Sequence, residues 1–192
     1  MLSIPKSNFA CGDIAGWQFF WNASDENFTA NLTPMNFTIE RDDVNITYIS
    51  GDGETIWRNG SQSTTLSVQV RDIDNANTLI GTGLASGTRW VTVNGSQYDT
   101  GTGVTTSSGF FNSTLDPSCS YAPGVQGWKI GTTANSCYKE FNSTVYNITL
   151  QTNMSVAVAR PLGVNYTRGS RVPVEFNVTD ECLNPVNSTT PV

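Results

Sequence analysis

Few residues in this chain are equipped to do chemistry. Its 192 residues include no histidine, which closes off Ser-His-Asp and Cys-His nucleophilic sites and His-ligated metal centres. Neither a phosphate-cradling glycine loop nor a dinucleotide-binding glycine motif is present. Paired carboxylates remain: Asp25/Glu26, Asp42/Asp43, Asp52/Glu54 and Asp72/Asp74 could in principle do glycosidic acid–base work. Each pair lies in a turn-like segment without the apolar surround that would raise a carboxyl pKa, so no catalytic residue is assigned and no enzyme is expected. The runs DIDN (72–75) and SGDGE (50–54) offer oxygen ligands of the kind that hold Ca²⁺ but lack the spacing of an EF-hand loop. Turn chemistry accounts for both, so neither a metal nor a cofactor is expected. Trp17, Phe19, Phe20 and Trp21 could stack on a sugar ring, but core packing is the plainer reading of that cluster.

Asparagine carries the main signal. Sequons of the form Asn-x-Ser/Thr begin at Asn22, Asn27, Asn31, Asn36, Asn45, Asn59, Asn94, Asn112, Asn142, Asn147, Asn153, Asn165, Asn177 and Asn187, which is 14 of the 19 asparagines. Chance placement of the 44 Ser and Thr residues would give about 4. The excess points to a glycoprotein carrying covalent N-linked glycans. In eight sequons the middle residue is large and apolar: Phe28, Leu32, Phe37, Ile46, Ile148, Met154, Tyr166 and Val178. On a strand that residue faces opposite to the Asn and Thr flanking it, so the expected arrangement is apolar side inward and glycan outward.

The elements that must position these residues are strands. TLSVQV (65–70), RWVTV (89–93), VYNITL (145–150) and VPVEFNV (172–178) alternate with period two, and Gly, Asn, Asp and Ser clusters punctuate them. An all-β fold of immunoglobulin-like sandwich type follows. NLTPMNFTIE (31–40) aligns on NSTVYNITLQ (142–151) at an offset of 111, WRNGSQ (57–62) on YTRGSR (166–171) at 109, and SVQVRD (67–72) on EFNVTD (175–180) at 108. More weakly, Cys11 followed by Trp17 matches Cys119 followed by Trp128. The repeat divides the chain into the closing half of one unit (1–56), a complete unit (57–165) and the opening strands of a third (166–192), a candidate donor segment. The complete unit's core is expected to include Val68, Val70, Trp90, Tyr146, Ile148 and Leu150.

VEFNVTDECLNPV (174–186) resembles the opening strand and turn of bacterial and archaeal immunoglobulin-like repeats of the invasin and intimin type. Val178, Thr179, Asp180, Asn184, Pro185 and Val186 match, and Leu183 stands where that pattern has glycine. The resemblance implies a surface-exposed module that spaces or joins others, and no chemistry.

Four cysteines in a glycosylated chain indicate an oxidising compartment and permit three pairings. Cys119 and Cys137, 18 residues apart, are expected to bond, closing a loop worth roughly 3 kcal/mol. Cys11 and Cys182 would then meet inside one sandwich, either between neighbouring molecules or within a chain whose ends fold together.

A net charge of −6 with no basic cluster disfavours nucleic acid. No apolar run reaches the ~20 residues of a membrane span, and MLSIPKSNFA lacks the apolar stretch of a signal peptide, so the sequence reads as a mature or excised piece. The expected protein is an extracellular, cell-surface structural subunit that polymerises with itself head to tail. The donated strand would be 172–186 or the first residues before Cys11. Such an assembly resembles donor-strand-exchange pili and glycosylated archaeal thread filaments. The alternative is a glycan-shielded adhesin or envelope glycoprotein engaging a surface receptor or carbohydrate.

Overall fold

A computed structural model describes residues 3–5, 9–60, 62–135 and 137–186. Asn187, the last sequon, lies outside them, as do several of the residues before Cys11. The fold is all-β. After a 3-10 turn at Cys11–Asp13 come β1 (Gly16–Phe19), β2 (Asn22–Ser24), β3 (Thr29–Asn31), β4 (Met35–Thr38), β5 (Val44–Ser50), β6 (Glu54–Trp57), β7 (Thr64–Asp72) and β8 (Thr78–Leu79). They are followed by β9 (Ser86–Val91), β10 (Thr102–Thr105), β11 (Phe110–Leu115), β12 (Gly124–Thr132), β13 (Phe141–Asn142), β14 (Tyr146–Gln151), β15 (Met154–Arg160) and β16 (Glu175–Asp180).

Two sheets enclose the core. One is ordered β10-β9-β12-β14-β6 with β13 on β12, and the other β11-β7-β5 with β8 on β7. Alternation along each strand sends every second side chain between them. Leu66, Val68 and Val70 of β7 are fully buried, as are Phe111 of β11, Trp128 and Ile130 of β12, Val91 of β9, and Ile148 of β14, with Leu150 nearly so. Gly87 of β9 lets Phe111 in: a Cβ there would stand 2.9 Å from its ring and 2.4 Å from the Gly131 carbonyl oxygen.

Two details differ from expectation. Trp90 is half-buried on the outer face, where the Lys129 ammonium lies 5.2 Å from its ring centroid. The inward positions of β9 are Arg89 and Val91, one residue out of phase with the expected alternation. Tyr146 is also half-buried, packed against Trp128 at 4.7 Å between ring centroids. The sandwich's strands run from Val44 to Gln151, not 57 to 165. β5 pairs antiparallel with β7 and β6 parallel with β14, so each completes a sheet edge.

The remaining strands form ribbons outside these sheets. At the N-terminal side β1 pairs with β4 (Gly16↔Thr38 to Phe19↔Met35), and β2 with β3 beyond them. At the C-terminal side β15 pairs with β16 (Met154↔Asp180 to Arg160↔Glu175).

Candidate functional site

Each ribbon is fixed at its base by a disulfide and an ion network. Cys11 is bonded to Cys137, and Cys119 to Cys182. These pairings correct the expected Cys119–Cys137 and Cys11–Cys182, and both lie within the chain, so no covalent link between molecules follows from them. The physical reason lies in β12. Cys119 precedes it and Cys137 follows it, so its nine residues, about 26 Å long at 3.3 Å per residue, separate the loops that carry the two cysteines. A disulfide needs its Cα atoms within about 7 Å.

At the N-terminal base, Lys139 Nζ donates to Asp43 at 2.8 Å and to Glu40 at 3.0 Å. These bonds, Asp43 first, push the ammonium's pKa well above its ordinary value. At the opposite base the buried Arg58 guanidinium donates through Nη2 to Asp180, through Nε to Glu181 at 2.6 Å and through Nη1 to the Tyr121 carbonyl at 2.8 Å. Burial by itself would raise both carboxyl pKa values. Bonds from Asn184, Cys182 and Arg58 outweigh it at Asp180, and bonds from Thr152, Arg58 and Asn153 outweigh it at Glu181, so both are held below their ordinary values. Leu183 takes a φ of 63° in the turn that follows, the left-handed region that favours glycine.

Away from the bases, the ribbons are bare. Phe20 is 70% exposed, Phe28 76%, Met154 66% and Phe176 57%, with Trp17, Phe19, Trp21, Val156 and Val158 also exposed. The aromatic cluster is therefore not core. A cavity of about 630 Å³ lies among Ile4, Phe9, Phe19, Phe20, Trp21 and Phe37. Exposed apolar clusters of this kind are uncommon on single-chain proteins. The segment 172–186 is not a lone strand, because Glu175–Asp180 is already paired along one edge with β15.

Of the thirteen described sequon asparagines, twelve are exposed and Asn45 is half-buried. The middle residues divide: Ile46 and Ile148 are buried, Phe37 and Val178 half-buried, and Phe28, Leu32, Met154 and Tyr166 exposed. The inward rule holds only where a second sheet lies opposite.

The carboxylates serve turns and loops. Asp25 accepts from the backbone of Asn27 and Phe28, Asp52 from Asn147, Asp72 from Asn75 and Asp74 from Asp43. Among the described residues, oxygens of Asp42, Asp72 and Asp74 lie within 4.8 Å of one another, close enough to share a cation. Asp52 and Glu54 do not join them.

Comparison with protein-family models finds no match to this chain, and comparison with curated proteins finds none either. Among the described residues no helix is long and apolar enough to cross a membrane.

Proposed function

We propose that this chain is a structural subunit of an extracellular, N-glycosylated surface filament, joined head to tail by its terminal ribbons. The observation that carries the reading is the placement of two apolar ribbons, each stapled by a disulfide, at opposite ends of one glycan-ready sandwich. Contacts between unlike ends are heterologous and do not close on themselves, so they extend into an open filament. Exposed sequon asparagines and paired cysteines suit an oxidising, extracellular setting. In this reading the sandwich and ribbons are immunoglobulin-like repeat units of the invasin and intimin kind, and the joint works by complementation, as in donor-strand pili and archaeal threads. The test is mass by light scattering over a dilution series of the glycosylated chain, with electron micrographs. Particles of many chain masses that appear as threads are expected, and a single-chain mass at micromolar concentration would overturn the reading.

A second reading, a glycan-shielded adhesin, draws on the aromatic cavity beside Trp21, which suits the apolar face of a sugar ring. Saturable glycan binding by a monodisperse protein would favour it.

A further inference from the structure

The two ribbons copy the two central ladders of the sandwich residue for residue. In the sandwich Val44 pairs with Asp72, Ile46 with Val70 and Tyr48 with Val68, with a register break before Ser50↔Ser67. In the C-terminal ribbon Met154 pairs with Asp180, Val156 with Val178 and Val158 with Phe176, with a break before Arg160↔Glu175. Length, register and bulge coincide. The return strand matches as well: β8 pairs with the end of β7, and Pro185 bridges Thr179 at the end of β16.

The N-terminal ribbon copies the facing sheet in the same way. β14 pairs with β12 through Thr149↔Val125, Ile148↔Gln126, Asn147↔Gly127 and Tyr146↔Trp128. β4 pairs with β1 through Thr38↔Gly16, Phe37↔Trp17, Asn36↔Gln18 and Met35↔Phe19.

In the sandwich these two ladders face each other and bury Val44, Ile46, Val68 and Val70 against Gln126, Trp128, Ile148 and Leu150. Their counterparts are Met154, Val156, Phe176 and Val178 on one ribbon, and Trp17, Phe19, Phe37 and Ile39 on the other. All eight are apolar, and none is buried in the single chain. The polarity of attachment also agrees. The C-terminal ribbon is rooted at its Asp180 end and the N-terminal ribbon at its Gly16/Thr38 end, which correspond to opposite ends of the sandwich they copy.

We infer that the joint between two copies is itself a sandwich, built from the C-terminal ribbon of one chain packed face to face on the N-terminal ribbon of the next. This rests on the filament reading and names its interface. The occupant of each apolar face is a second copy of this chain, because the sandwich shows what covers the matching ladder. The two ribbons of one chain root at opposite ends of β12, a strand about 26 Å long, and the apolar faces of both are left uncovered in the single chain, so they do not cover one another. Strand addition accompanies the packing. β7 carries β11 along the edge away from β5, and β14 carries β6 beyond β12, whereas among the described residues β16 and β4 have no such strands. Both disulfides fall between successive sandwiches inside a chain, and the joint between chains is non-covalent.

The test uses two double variants of the full chain: Val156→Asp with Phe176→Asp, and Trp17→Asp with Phe19→Asp. All four positions are exposed in the single chain, so thermal unfolding of each variant is expected to match the wild type in its unassembled form. In sedimentation each variant alone is expected at one chain mass. An equimolar mixture is expected at two chain masses and no more, since it holds one intact pair of unlike ribbons and then caps itself. Formation of that dimer also shows both variants folded. If the wild type polymerises but either variant alone forms dimers, or the mixture stays at one chain mass, the composite sandwich is wrong and the filament reading stands. A wild type that remains at one chain mass overturns both.

Discussion

The ladder β12/β14 and its counterpart β1/β4 share a register and the Asn-apolar-Thr pattern of their sequons, yet Ile148 is buried and Phe37 only half so. The contrast at the other end is sharper, with Val68 fully buried and its counterpart Phe176 57% exposed. Strand pairing is therefore dictated locally, by alternation and turns, while burial is dictated by whether another sheet lies across the face. The sandwich has that second sheet within the chain, and each ribbon presents one sheet without its mate. A two-stranded ribbon has little stability of its own in water, which is why a disulfide and a buried ionic network meet at the base of the C-terminal one.

The largest effect that would probe this contrast comes from the staples. Replacing Cys11 and Cys137 by serine frees a link spanning 126 residues and is expected to lower unfolding free energy by about 5 kcal/mol in the chain-entropy model, read by denaturant titration. Trp128→Ala, which deletes a fully buried side chain and its indole bond to the Gly51 carbonyl, is expected to cost about 3–5 kcal/mol. Phe19→Ala, at the matching ribbon position, is expected to change single-chain stability by only about 0.5 kcal/mol while weakening assembly. Equal losses at both sites would erase the distinction between ladder and ribbon.

Acid acts on the C-terminal base. The folded pKa values of Asp180 and Glu181 are depressed, so their contribution is complete above the unfolded values near 4 and is lost as pH falls through the lower folded values. Amide exchange in β15 and β16 is expected to quicken below about pH 4 before exchange in β7 does, and Arg58→Met is expected to produce the same early exchange at neutral pH. The smallest effect on stability is that of the glycans. At least half of the fourteen sequons are expected to be occupied in glycopeptide mass spectra, with enzymatic removal lowering solubility and protease resistance more than melting temperature.

Much of this was legible in the residues. Period-two alternation marked β7, β14 and β16, and the repeat offsets of 111 and 108 correspond to real ladder counterparts, β4 with β14 and β7 with β16. The match of β1 to β12 was hidden because GWQF and VQGW have no residue in common in register. The phase of the sandwich was hidden too, since VNITYIS of β5 reads equally well as the end of one unit or the start of the next. Cysteine pairing could not be read from spacing, because it depends on which loops share an end of β12, a fact of topology. Trp90 misled for a related reason: a strand with a buried arginine, Arg89 at 5% exposure, inverts the usual guess about which face is inside.

Electron cryo-microscopy of the assembled protein tests the central claim most directly. The account predicts two sandwich units per chain along the filament axis, alternating between one formed wholly by residues 44–151 and one split between two chains, with disulfides at both ends of the first. A filament with one sandwich per chain, or with like ribbons packed on like, would contradict it.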